Sequence, residues 1–213
     1  MLTAVVVGLL AVGMGTPAIA AAPTVERVVF SAYSGSPNRG NDQQDIYVAD
    51  ADSKNVQRLT NDKFYDEYPS WSPDGTQIAW SSDRDGQGSY DIWVMDADGG
   101  NARKVTDESN GVGSQSQISP AWSPDGTQIL YMEWNRWDGN YDLWIMDVAD
   151  GSIVRKVSDK SQYGNYYDYW PSFSPHGTHI IFDSNRDGEF AMGQDAQEAL
   201  VKAAFAGEDT EKA

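Results

Sequence analysis

The run Ile92-Trp93-Val94-Met95 is apolar at every position rather than at every second one, so the strand it predicts needs cover on both faces. A β-forming stretch, Gln77 to Ser82, lies ahead of it and opens directly from Ser72-Pro73-Asp74-Gly75. In that tetrapeptide Pro presets φ at the second turn position, and Gly supplies the positive φ that closes a tight hairpin. One strand therefore ends at the turn and a second leaves it. Ile92 to Met95 is the third, and Arg103 to Thr106, after a Gly-containing polar turn, is a short fourth.

These segments recur. Trp71-Ser72-Pro73-Asp74-Gly75-Thr76-Gln77-Ile78 returns from Trp122 to Ile129 and again, as Phe173-Ser174-Pro175-His176-Gly177-Thr178-His179-Ile180, each time 51 residues on. Tyr90-Asp91-Ile92-Trp93-Val94-Met95-Asp96 returns as Tyr141-Asp142-Leu143-Trp144-Ile145-Met146-Asp147, also 51 residues on, with an earlier relative in Gln44 to Asp50. Gln128 to Glu133 repeats the second strand, and Gln57 to Thr60 and Arg155 to Ser158 repeat the fourth. Two independent motifs in one register define stacked supersecondary units, each covering the apolar faces of its neighbours.

The pattern Pro-x-Trp-Ser-Pro-Asp-Gly-x-x-Ile, then Ser-x-Arg-x-Gly, then Asp-Ile-Trp-Val-Met-Asp, then Lys-Val-Thr resembles the blade repeat of the TolB-type β-propellers, from about Arg27 to Gly188. Pro69 to Thr106 and Pro120 to Ser158 match whole blades; Arg27 to Thr60 lacks the innermost strand and Pro171 to Gly188 lacks the outer two. The resemblance implies an all-β propeller of four-stranded antiparallel blades, with about three and a half blades present against roughly 4 to 8 in a closed ring. It also implies an α/β domain ahead of the propeller, to which no segment here corresponds. An open array leaves strand edges and apolar flanks, at Ile46, Tyr47 and Val48 on one side and at Phe173, Ile180, Ile181 and Phe182 on the other. The expected outcomes are a homodimer that completes the propeller or a truncated, aggregation-prone product.

Beyond the repeats, Leu2 to Met14 is uncharged and leads through Pro17 to Ala18-Ile19-Ala20-Ala21-Ala22, the pattern of a secretory signal cleaved after Ala20 or Ala22. The predicted organisation is a signal peptide at 1–22, propeller repeats over 23–190 and a divergent tail over 191–213, where Asp195 would N-cap a short helix to Phe205. The expected location is periplasmic or extracellular, with no membrane span after cleavage. A net charge of −17 repels phosphate backbones and excludes nucleic acid as a partner. Without cysteine there is no disulfide, thiolate nucleophile or Cys-bound zinc.

Candidate function falls on the loops between second and third strands and between successive blades, which share one face. The interblade loops Asn61 to Tyr68 and Gln162 to Trp170 interleave tyrosines with acids and amides. Such rings give large rigid contact area with a polar tip, suited to peptides or sugars, or they pack between blades. The binding candidates are Tyr65, Asp66, Tyr68, Arg84, Arg136, Trp137, Tyr166, Tyr167, Asp168 and Arg186. The arginines come from a repeated cluster, Asp83-Arg84-Asp85-Gly86, Asn135 to Gly139 and Asn185 to Gly188, which reads as hairpin bends with an Arg bracing one blade against the next. Calcium on Asp83, Asp85 and Asp91 is the alternative, although Gly86 departs from the EF-hand spacing. His176 and His179 flank an exposed turn and identify no further metal ligand.

No Gly-x-Ser-x-Gly elbow, Cys nucleophile, His-Glu-x-x-His or phosphate-cradling Gly loop occurs. The reading is a noncatalytic, cofactor-free, exported scaffold that binds a protein or peptide. The alternatives are the propeller part of a peptidase or polysaccharide-active enzyme, or an inactive fragment.

Overall fold

In the computed structural model, residues 27–33, 43–106, 116–135, 139–158 and 167–185 are described. The predicted signal segment and tail lie outside them. All regular structure among them is β. The first blade has β1 (Arg27–Tyr33), β2 (Gln44–Asp50) and β3 (Gln57–Arg58); the second has β4 (Asp66–Trp71), β5 (Gln77–Ser82), β6 (Asp91–Asp96) and β7 (Arg103–Lys104). The third has β8 (Gln117–Trp122), β9 (Gln128–Asn135), β10 (Asn140–Asp147) and β11 (Ile153–Lys156), and the fourth β12 (Asp168–Phe173) and β13 (Ile180–Ser184). Every pairing is antiparallel between sequence neighbours. Among the described residues the sheets hold three, four, four and two strands, the first unit showing no innermost strand and the last no outer two.

The recurring residues of the repeat have local tasks. At the first hairpin, Gly75 has φ 70° and its N–H reaches the Ser72 carbonyl at 2.9 Å. The Asp74 carboxylate accepts from Ser72 Oγ at 2.6 Å and from the Thr76 N–H at 3.0 Å, bonds that hold its pKa below the usual carboxylate range. In the last copy His176 stands in place of that Asp, and Gly177 still donates to Ser174. The hydroxyl closing each fourth segment takes over where the ladder stops. Thr60, Thr106 and Ser158 accept from the N–H of Ile46, Ile92 and Leu143 at 2.9, 3.2 and 2.8 Å. The same hydroxyl contact follows the two-residue β3 and β7 and the four-residue β11.

Three apolar clusters fill the spaces between blades. Val29, Ile46 and Val48 of the first blade meet Ile78, Trp80 and Met95 of the second. Ala79, Ile92 and Val94 meet Ile129, Tyr131 and Met146 of the third. Leu130, Met132, Leu143 and Ile145 meet Ile180 and Phe182 of the fourth. The all-apolar third strands thus divide their side chains between two neighbours.

That division corrects the expectation for the end flanks. Ile46, Val48, Ile180 and Phe182 are buried in the clusters. Phe173 is partly buried against the third cluster, and the alternate residues Tyr47 and Ile181 point the other way, with Ile181 42% exposed.

The hairpins between third and fourth strands lean on the preceding blade. A Cβ on Gly151, where φ is 72°, would overlap the Val105 carbonyl oxygen, whereas one on Gly126, φ 73°, would meet Pro73 Cδ at a comfortable 3.8 Å. Gly126→Ala is expected to cost about 1–2 kcal/mol for the left-handed backbone alone. Gly151→Ala adds the displaced junction and should lose roughly 3 kcal/mol or more. Urea denaturation of both variants checks the difference; equal losses would mean the hairpin is free to lift.

The loop face and the inner edge as a candidate binding site

The innermost strands share one irregularity. Tyr68, Ser119 and Trp170, at the same position of β4, β8 and β12, all have positive φ, at 54°, 58° and 51°. In each strand the register with its neighbour shifts around that residue, between Glu67 and Ser70, Ile118 and Ala121, and Tyr169 and Ser172. A side chain bearing Cβ resists this conformation by about 1–2 kcal/mol, so three repeats hold the same backbone cost at one radius of the array.

The bulge re-aims the side chains. Tyr68 and Trp170 come from blades two apart, yet their ring centroids lie 5.7 Å apart. Blade three, between them, carries only the small Ser119 at that position. Trp170 is 53% exposed and donates its backbone N–H to Met132 Sδ at 3.3 Å. From there aromatic contacts run along the loop face: Tyr167 stacks on Tyr169 at 5.7 Å, Tyr169 meets Tyr141 at 5.4 Å, and Tyr141 meets Trp134 edge-on at 5.0 Å. Tyr65 and Tyr33 add exposed rings.

Carboxylates sit among the rings. Burial pushes the Glu67 pKa up, with the nearby Asp83 charge adding to it and a hydrogen bond with Tyr90 opposing it. Burial likewise raises Glu133, against a hydrogen bond from Gln117 Nε2 at 3.2 Å. Asp91 is driven to about 6, chiefly by burial; Lys104 Nζ at 2.8 Å and Thr106 Oγ1 at 2.9 Å oppose the rise, and Asp85 adds to it.

The predicted site residues divide by burial. Tyr65, Tyr68 and Tyr167 lie on the loop face, the Tyr65 N–H bonded to Asp83 Oδ1 at 2.8 Å and that of Tyr167 to Asn185 Oδ1 at 2.7 Å. Asp66 and Asp168 are fully buried and hold the scaffold, Asp168 accepting from Ser158 Oγ at 2.9 Å. Arg84 is locked: Nη2 bonds both Asp66 oxygens, at 3.0 and 2.9 Å, while its guanidinium lies 4.9 Å from the Trp80 ring and 5.2 Å from Trp93. Its brace is therefore within its own blade, with Asp62 of the lead-in loop at 3.3 Å, and not from one blade to the next. Arg136, Trp137, Tyr166 and Arg186 lie outside the described residues.

At the candidate calcium position, Lys104 Nζ sits between Asp85, at 3.1 Å, and Asp91, at 2.8 Å. Among the described residues no group of three or more His, Cys, Asp or Glu is placed to hold a metal ion. The same acid and cation pair recurs as Asp45 with Arg58 at 2.6 Å and Asp142 with Lys156 at 2.8 Å. Sequence reasoning misses these pairs, and with them Tyr141 and Trp134; Trp170 falls within the candidate loop Gln162 to Trp170 but is not singled out. Aligning Tyr68 with Trp170 by the repeat is the signal that could have found the last group.

The raised Asp91 gives a pH prediction. With a folded pKa near 6 against the usual 3.8, the folded state binds more protons between those values, so this group's contribution to stability falls as pH rises from 4 to 6 and is level above. The stability advantage of the wild type over Asp91→Asn should shrink across that window by up to about 1.4 kcal/mol per pH unit, read from urea midpoints. An advantage that grows with pH would mean the Lys104 ion pair outweighs desolvation.

Stacked antiparallel blades with their bulged first strands along one inner edge define a β-propeller array. The chain belongs to the TolB β-propeller family, for residues 12–133 match the family model described as the TolB beta propeller domain. A protein TolB homolog of Chlorobaculum tepidum is 34% identical over 132 residues, 62% of this chain and 26% of its own length. A Tol-Pal system protein TolB of Anaeromyxobacter dehalogenans is 32% identical over 136 residues, 63% of this chain and 29% of its own. The crystal structure of TolB from Acinetobacter baumannii superposes on 76% of this chain and 37% of that one with a TM-score of 0.60 at 20% identity, a likeness of fold. The chain spans less than a third of the length of these two curated relatives.

Proposed function

We propose that the protein is a noncatalytic, exported propeller of the Tol-Pal type whose loop face and inner edge bind a protein or peptide segment. The observation that carries this reading is the convergence of Tyr68 and Trp170 across blades, held by strained backbone at both residues. Strain in a repeated element persists where the surrounding structure enforces it and is concentrated at binding sites. Half-exposed Trp and Tyr rings beside carboxylates are the composition of protein-recognition surfaces. The absence of any nucleophile motif in the sequence supports a role without chemistry, and the small-residue segment ending at Ala22 supports export to the periplasm.

Calorimetric titration of the mature protein with the other purified Tol-Pal proteins of its source organism tests the reading. Trp170→Ala is expected to weaken the complex by about 2 kcal/mol, the loss typical of a central aromatic. Val154→Ala, at an exposed site of β11, should leave it unchanged. Equal affinity of wild type and Trp170→Ala, or no binding by any of these proteins, would overturn the assignment. Exported material should begin at Ala21 or Pro23.

A further inference from the structure

The second and fourth units share a polar set at the loop end of their inner strands, Asp66, Ser82 and Arg84 in one and Asp168, Ser184 and Arg186 in the other. The third unit departs from it. Its residues at those positions, 51 on from the second unit, are Gln117, Glu133 and Asn135. Register supports the equivalence: Asp66 pairs with Ser82 and Ser82 with Asp91, as Gln117 pairs with Glu133 and Glu133 with Asp142. Further along the same strands Trp80 faces Trp93, and Tyr131 faces Trp144.

The second blade shows what this position accommodates. Arg84 donates from Nη2 to both Asp66 oxygens and from Nε to Ser82 Oγ at 3.1 Å, with its guanidinium against the Trp80 and Trp93 rings. Its side chain is 15% exposed, so solvent reaches the slot. In the third blade the acceptors are present without the guanidinium. Glu133 brings a carboxylate to the place of the Ser82 hydroxyl, and Gln117 brings a carbonyl oxygen to the place of the Asp66 carboxylate. Gln117 Nε2 donates to Glu133 at 3.2 Å, and among the described residues Gln117 Oε1 is buried with no hydrogen bond. No ion pair among the described residues reaches Glu133, since Lys156 pairs with Asp142 at 2.8 Å. Burial is the main influence on Glu133 and holds its pKa above the usual carboxylate range. Asn, the residue at 135, has neither the reach nor the charge of an arginine.

We propose that this slot of the third blade takes an arginine side chain of the bound protein segment, its guanidinium donating to Glu133 and to Gln117 Oε1 as Arg84 donates within the second blade. A planar fork of donors matches a carboxylate beside an amide oxygen, a match that a lysine ammonium does not reproduce. A buried acceptor left unpaired destabilises the free protein, and pairing it on binding removes that cost. Trp134 and Tyr141, chain neighbours of Glu133 and Asp142, belong to the aromatic run, so the slot and the run share one end of the blade. The source of the arginine rests on the reading proposed above, whereas the slot itself is testable without a partner.

N-acetylarginine methylamide and its lysine and citrulline counterparts are titrated into the protein and followed by NMR. The arginine probe is expected to saturate a shift of the Gln117 side-chain amide, to bind about tenfold more tightly than the lysine probe, and to have no rival in neutral citrulline. Glu133→Gln should weaken it by about tenfold or more, the loss of a charge-assisted bond. Asn135→Arg, which restores the arrangement of the second blade, should block the probe and raise the urea midpoint. Equal binding of the arginine and lysine probes, or an arginine affinity unchanged by both substitutions, would overturn the slot. The Tol-Pal titration keeps the two readings apart. Arginine binding that persists where no Tol-Pal protein binds supports the slot and removes the Tol-Pal reading; Tol-Pal binding that survives Glu133→Gln, with no uptake of the arginine probe, removes the slot alone.

Discussion

Replacing Arg84 by alanine is expected to remove about 3–5 kcal/mol of stability, the cost of leaving a buried charge without its partner. Asp66 is 0% exposed, and both its oxygens bond Arg84. In the variant Trp80 Nε1 still donates to Asp66 Oδ1 at 2.9 Å, a neutral N–H set against a full buried charge. Arg84→Lys keeps a charge but loses the planar fork and the fit between the Trp80 and Trp93 rings, for about 1–2 kcal/mol. Arg84→Ala combined with Asp66→Asn should recover part of the loss, because the unpaired charge goes with the second change. Urea denaturation at neutral pH reads all three. A loss under 1 kcal/mol for Arg84→Ala would mean that the carboxylate relaxes to water and that Arg84 is free to serve a ligand.

Arg84 also shows where sequence reasoning stops. Its Asp-Arg-Asp-Gly cluster is visible as a repeated bend, but its partner lies within its own blade and not in the next. The contacts that immobilise it come from Asp66, Trp80 and Trp93, spread over three strands of one sheet, and depend on register. The framework itself was legible because the signals were local. Ser-Pro-Asp-Gly fixes a turn within four residues, and the second strand of the second blade runs from Gln77 to Ser82 as expected. Two of the fourth strands, β3 and β7, are two residues long, while β11 keeps four but begins two residues earlier than expected, at Ile153.

The repeat marks Tyr68 and Trp170 as equivalent positions, but their meeting was not legible. It needs a left-handed backbone at residues with no turn signature and a curvature of the array that brings blades two apart together. The end flanks failed for another reason. A strand apolar at every position suggests full exposure at the array's edge, whereas alternation buries Ile46 and Val48 and leaves only Tyr47 outside.

Trp80→Ala is expected to be as damaging as the loss of Arg84, at about 3–5 kcal/mol, the range for truncating a large aromatic in a packed core. The ring is 0% exposed at the junction of the first two blades, against Trp93 at 6.3 Å and under the Arg84 guanidinium. Truncation removes the apolar contact with Val29, Ile46 and Val48, the donor to Asp66 and one wall of the arginine's slot together. Its effect and that of Arg84→Ala should therefore overlap, the double variant losing less than the sum by roughly 0.5–3 kcal/mol. Strict additivity would show that the ring and the cation act separately.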